Sequence, residues 1–222
     1  MLLLDSFNTI LFPKTIDLMS SDDNKKKADA LEKMRVGYIL TSHMLVYLAM
    51  ICFPILVWFI PKYMPALSSM NMIALAVLMN TNSYGYSNML IAQNKEHKAG
   101  FISAVSLIVN IILGLGLAKI LNVEYSYITI AILVAYMISS FLMAYEGDTI
   151  LRREKSVSYT LKHFFPIRMF IPYMIALIIS CTQIEYLIFI GLLVFIILNY
   201  KDLQFLKNIA LKLIKEPEVI DV

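Results

Sequence analysis

Between positions 80 and 88 the chain reads Asn-Thr-Asn-Ser-Tyr-Gly-Tyr-Ser-Asn, inside a stretch that is otherwise apolar. Asn80, Tyr84 and Asn88 fall at i, i+4 and i+8, a spacing that puts them on one face of a helix. Asn82 and Tyr86 form a second i, i+4 pair on a neighbouring face. Hydrocarbon does not solvate such groups, so a lipid-facing helix would not carry this load. Two readings fit. In one, the amides and phenols line a water-filled cavity and bind a hydroxyl-rich substrate. In the other, the stretch lies near the membrane interface, where tyrosine belongs, and bonds to neighbouring helices.

Further along, Ser103, Ser106, Asn110 and Gly114 make a small and polar stripe. Small residues let helices approach closely, and one asparagine can bond across the contact; Asn110 is also a candidate for the cavity wall. His43 and Tyr47 stand one turn apart, which allows either a coupling role for a titrating imidazole or an interhelical hydrogen bond. Lys119 lies near a helix end, where it can snorkel to the interface or meet a phosphate-bearing headgroup. Pro54 and Pro172 fall inside apolar runs and can kink them, freeing carbonyls.

The chemistry that is missing narrows the function. There is no Walker sequence, no HExxH and no GxSxG. The apolar runs contain no Asp or Glu to act as base, metal ligand or proton relay, Asp5 in the first short run excepted. No catalytic residue, metal site or cofactor is expected, and an enzyme is disfavoured. Cys52 and Cys181 sit far apart within apolar runs, as two small buried hydrophobes would.

The elements that must carry these residues are membrane spans. Of 222 residues 59% are hydrophobic and only 16% charged, with a mean hydropathy of +0.73. A soluble chain carries about a quarter charged residues. Apolar runs at about 37–60, 68–92, 100–121, 127–145, 166–181 and 186–200 predict an all-α, polytopic bundle of about six membrane-spanning helices. The first of these runs is interrupted by Pro54. Residues 1–12 are too short to cross and read as an incomplete span. The organisation expected is a charged cytoplasmic segment at 13–36, a four-helix membrane region at 37–147 and a basic link at 148–165. A two-helix region at 166–200 and an amphipathic tail at 201–222 complete it.

Orientation follows from the cations. Numbering connections alternately, all of the 19 lysines and arginines except Lys62 and Lys119 fall on one side. The positive-inside rule makes that side, and the C-terminus, cytoplasmic. The net charge of +3 gives no reason to expect nucleic acid. The basic link and tail fit contact with anionic membrane lipid.

The order of landmarks is also familiar. Phe12-Pro13-Lys14 precedes a charged stretch, a helix with a central Pro54 and a short turn at 61–63. The tyrosine-bearing helix follows, then the turn Asn94-Lys95-Glu96-His97-Lys98 and a helix carrying Asn110 that ends in a glycine-rich half. Over roughly residues 1–183 this resembles the C-terminal half of polysaccharide-biosynthesis (O-antigen and capsule type) flippases. These belong to the multidrug/oligosaccharidyl-lipid/polysaccharide exporter superfamily.

The resemblance implies a multi-pass protein of the bacterial inner membrane. Its substrate would be an undecaprenyl-pyrophosphate-linked oligosaccharide, turned from the cytoplasmic to the periplasmic leaflet by ion-driven alternating access. Asn80, Tyr84, Asn88 and Asn110 would then face the sugar, with His43 and Lys119 candidates for coupling or headgroup contact. The family's N-terminal bundle has no counterpart in these residues. An N-terminal bundle or a second copy of the chain is therefore expected to complete the cleft. The competing expectation is a non-transporting scaffold subunit of a glycan-assembly complex.

Overall fold

A computed structural model describes residues 24–123, 125–152, 156–182, 184 and 187–204. The expected half-span at 1–12 and most of the expected amphipathic tail lie outside these residues. Among the described residues every regular element is helical. Helix α1 spans Asn24–Phe59, followed by a 3₁₀ turn at Pro61–Ala66, α2 at Leu67–Thr81 and α3 at Tyr86–Ala92. Helix α4, Glu96–Leu115, ends in a π turn at Gly116–Ile120; then come α5 at Tyr125–Ile128 and α6 at Ile130–Arg152. Helices α7 at Val157–Phe164, α8 at Ile167–Thr182 and α9 at Phe189–Leu198 complete the order.

Four of these segments are long and apolar enough to cross a bilayer: Arg35–Phe59, Pro61–Thr81, Glu96–Ile120 and Ile130–Ile150. Helices α7 and α8 pass the same test as a pair but bend by 65° at Pro166, and α9 is a shorter apolar helix. The chain is thus an all-α membrane protein. Its six apolar runs appear as four full spans, one bent pair and one short helix.

Three boundaries differ from the expectation. Within the described residues helix α1 runs from Asn24 without a break through Pro54, so the described part of the charged segment, from Asn24 on, and the first span are one helix. The missing N–H of Pro54 affects only the carbonyl one turn back, which a long packed helix tolerates. The second run is not one helix: it breaks at residues 82–85, where Gly85 takes φ 84°. Only glycine adopts that angle without strain. Helix α6 runs on to Arg152, so Asp148 belongs to a helix and not to a solvated link.

Two apolar clusters hold the helices. The larger joins α1, α2, α6, α8 and α9 through Leu40, Met50, Leu75, Leu133, Ala176 and Phe195. The smaller joins α3, α4, α6 and α7 through Tyr86, Met89, Ile102, Ala144 and Phe164. Phe165 packs against both. Helix α4 lies at the periphery, with only 6% of its apolar window buried. Its Phe101, Ile108, Ile112 and Leu115 are exposed, the pattern of a lipid-facing surface.

Two ion pairs join helix ends. Lys98 at the start of α4 pairs with Glu146 near the end of α6 at 2.6 Å, and Arg168 at the start of α8 pairs with Asp202. Lys62 lies in the 3₁₀ turn and Lys119 in the π turn that ends α4.

Candidate functional site

Helices α2, α4 and α6 enclose a cleft of about 390 Å³ on the flank of the bundle. Its polar wall is Asn80 from α2, Ser103, Ser106 and Asn110 from α4, and Tyr136 and Ser139 from α6. The groups arrive there through ordinary helical spacing. Ser103, Ser106 and Asn110 follow one stripe of α4, and that stripe is the side turned to α6. Ser106 donates from its hydroxyl to the Ala135 carbonyl at 2.9 Å, which pins α4 to α6 in the wall of the cleft. The Ser103 hydroxyl turns back to the Ala99 carbonyl of its own helix at 3.0 Å. What remains for a ligand is a set of amides and hydroxyls, without carboxylate, imidazole or ammonium.

The cleft therefore joins two of the four expected cavity residues, Asn80 and Asn110, and separates them from the other two. The shared helical face of Asn80, Tyr84 and Asn88 does not exist, because the turn at 82–85 ends α2 before Tyr84. Tyr84 is buried and stacks on Tyr38 of α1, ring centroids 3.8 Å apart. Asn88 lies on α3, half-buried and away from the cleft wall. Asn82 and Tyr86 point inward and not to a neighbouring cavity face; both are buried.

His43 and Lys119 also stand apart from the cleft. His43 is fully buried in the larger apolar cluster, stacked on Phe195 with centroids 5.7 Å apart and edge-on to Tyr47 at 6.1 Å. Its Nδ1 lies 2.9 Å from the Ile39 carbonyl, so that nitrogen carries the proton and donates. Its Nε2 has no partner within the described residues. Lys119 is exposed on the π turn. Cys181 is half-buried, but Cys52, expected in the interior, is exposed on α1. Both are free thiols. Among the described residues no group of three His, Cys, Asp or Glu is placed to hold a metal.

A second polar group was not visible in the spacing of the sequence. Arg35 of α1 is only 3% exposed, and it reaches across both sides of the helix break. One terminal nitrogen donates to the Tyr86 hydroxyl at 2.8 Å and the other to the Asn82 carbonyl at 3.0 Å. Its guanidinium carbon also lies 4.3 Å from the Tyr86 ring centroid. The Tyr86 hydroxyl donates onward to Asp148 Oδ1 at 2.9 Å, and Thr160 of α7 donates to Asp148 Oδ2 at 2.9 Å.

Tyr86 lies beyond the end of the second span. Burial pushes its phenol above the usual range, the Arg35 cation pulls it back, and Asp148 adds to the rise. The phenol stays protonated and serves as the donor to Asp148. Gly147 makes this possible: a Cβ at that position would collide with the Tyr86 ring. The one signal in the sequence was a pair of opposite charges tucked against the ends of apolar runs, Arg35 just before one and Asp148 just after another.

No family model, no curated protein and no solved structure matches the chain. The class that the fold and the cleft define is a multi-helix membrane protein with a polar recess at the side of its spans.

Proposed function

We propose that this chain is a membrane transport protein. In this reading it is all or part of a flippase that moves an undecaprenyl-pyrophosphate-linked oligosaccharide across the bacterial inner membrane for surface-polysaccharide synthesis. The observation that carries the reading is the cleft. It places two amides and several hydroxyls against apolar spans, open at the flank of the bundle. Such a lining suits an amphiphile whose hydroxyl-rich head must cross hydrocarbon while its polyprenyl tail stays in lipid. Donors and acceptors from Asn80, Asn110 and Ser139 replace water around the sugar, and the exposed apolar face of α4 meets the tail.

The lining also favours binding over catalysis, because amides and serines without a neighbouring base or acid do not exchange protons with a substrate. The choice of glycan carrier rests on the resemblance of the order of sequence landmarks, from Phe12 to Asn110, to that of polysaccharide flippases. The cytoplasmic placement of the C-terminus follows from the sorting of lysines and arginines. A second bundle or a second copy of the chain would close the open side of the cleft.

Reconstitution tests the proposal. The chain, with any partner that co-purifies, is placed in liposomes carrying a fluorescent lipid-linked oligosaccharide on one leaflet. Transport predicts loss of leaflet asymmetry that Asn80→Leu and Asn110→Leu slow. Unchanged asymmetry in these liposomes, with intact assembly of a glycan-synthesis complex in cells, would favour the scaffold.

A further inference from the structure

The break between α2 and α3 is bridged by a polar group, beside the Tyr84–Tyr38 stack and the apolar packing of Met89 and Leu90 on α3. Arg35 of α1 bonds the first residue of the break through the Asn82 carbonyl and the first residue of α3 through the Tyr86 hydroxyl. Asp148 of α6 accepts from the same hydroxyl on the far side, and Thr160 of α7 donates to the other carboxylate oxygen of Asp148. No ion pair joins Arg35 and Asp148 directly; the neutral phenol stands between a buried cation and a buried anion. One small group thus carries two charge-assisted bonds, the stronger kind of hydrogen bond.

The clamp is incompletely satisfied. Arg35 Nε and both side-chain polar atoms of Asn82 are buried without a partner in the described residues. Unmade bonds of this kind raise the free energy of the closed arrangement relative to one in which the groups are rehydrated. The turn itself has the one residue in the segment with a positive φ, Gly85, which can absorb a change of direction. Asn80, in the wall of the cleft, lies in the last turn of α2, and its carbonyl accepts from both the backbone and the hydroxyl of Ser83 inside the break.

We infer that the segment 82–85 is a hinge, and that Arg35, Tyr86 and Asp148 form the clamp that keeps α3 docked against α6. Release of the phenol lets α3 swing away while the body of α2 stays packed on α1; the bonds from Ser83 to the Asn80 carbonyl carry the motion only into the last turn of α2. Arg35 and Asp148 are positioning residues in this device and touch no substrate. It rests on the transport reading for its purpose, because a carrier must open one end of its bundle.

Pulsed electron spin resonance on the full chain reads the hinge without any transport assay. In a background with Cys52 and Cys181 replaced by alanine, spin labels are placed at Met44→Cys on α1 and Ile91→Cys on α3, both exposed positions. A control pair joins Met44→Cys to Ile73→Cys on α2, also exposed. Tyr86→Phe removes both bonds of the clamp and keeps the ring. We expect a second, longer 44–91 distance whose population rises about tenfold, with the 44–73 distance unchanged. Thr160→Val, which removes only the outer bond, gives a smaller rise in the same direction should Tyr86→Phe fail to fold. A single unchanged 44–91 distance in the variants overturns the hinge and leaves the transport reading standing. An equal change in both pairs overturns it too, since the whole bundle has then loosened. Two populations without flipping in liposomes would sink the transport reading alone.

Discussion

Asn80 and Asn110 come from different helices, α2 and α4, and face the same cleft; neither side-chain amide makes a hydrogen bond among the described residues. Polar side chains at a lipid-facing flank are costly unless something other than lipid occupies the space. The helices spend their interior polar groups differently: Ser106 bonds across to α6 and Ser180 bonds back to its own helix. In the cleft wall the two asparagines stand open to a ligand together with Tyr136 and Ser139.

Replacing either asparagine by leucine should therefore separate function from folding. Each substitution removes about one hydrogen bond to substrate, about 0.5–1.5 kcal/mol, or roughly a two- to tenfold fall in transport. Thermal stability in detergent should hold or rise, because no bond within the bundle is lost. Flipping rates and melting curves on the same preparations decide it. A loss of stability in parallel with transport would return both residues to packing.

Gly147→Ala should be among the most damaging small substitutions. The added methyl runs into the Tyr86 ring and the Met89 side chain, and overpacking of this kind costs about 1–3 kcal/mol. Gly100→Ala is the control: it meets nothing within 4 Å. A helix gains about 0.8–1.0 kcal/mol from that exchange. Unfolding titrations of the two variants should move in opposite directions.

Two serines on α4 should also differ. Ser106→Ala breaks the bond to Ala135 between helices, and such bonds in membrane proteins average about 0.6 kcal/mol. Ser103→Ala loses only a bond within its own helix and should change stability by less. The comparison is made by chemical unfolding in mixed micelles.

His43→Phe should leave both fold and transport in place. The ring stack on Phe195 survives, and the substitution removes an Nε2 that has no partner among the described residues. A transport rate that loses its pH dependence in this variant would instead give His43 the coupling role that its sequence position allows.

Hydrophobic run length made the helical membrane architecture legible in the sequence. Runs of apolar residues can meet their backbone hydrogen bonds in lipid only as helices, and Lys62 and Lys119 were the visible exceptions to the sorting. The cleft was half legible. The polar stripe of α4 could be read from i, i+3 and i+4 spacing, and so could the exposure of Asn80 to a cavity. The face shared with Tyr84 and Asn88 is lost at the turn 82–85, which ends α2 before Tyr84 and redirects the chain at Gly85 before Asn88. Helical periodicity assumes an unbroken helix, and a glycine among asparagines and serines was the warning. The clamp was illegible for another reason. Arg35, Tyr86 and Asp148 are brought together by packing between distant segments, and the sequence gives no measure of which charges near a run's end turn inward.

The most direct test asks whether water reaches Asn110 inside the bilayer. In the cysteine-free background, Asn110→Cys and Ile112→Cys are exposed to a membrane-impermeant maleimide in native membranes. Both positions lie on α4, one in the cleft wall and the other on the exposed apolar face. The account predicts rapid labelling at 110 and none at 112. A cysteine at 110 as inert as the one at 112 would show the cleft filled with lipid or packed shut, and would contradict a route for a polar headgroup.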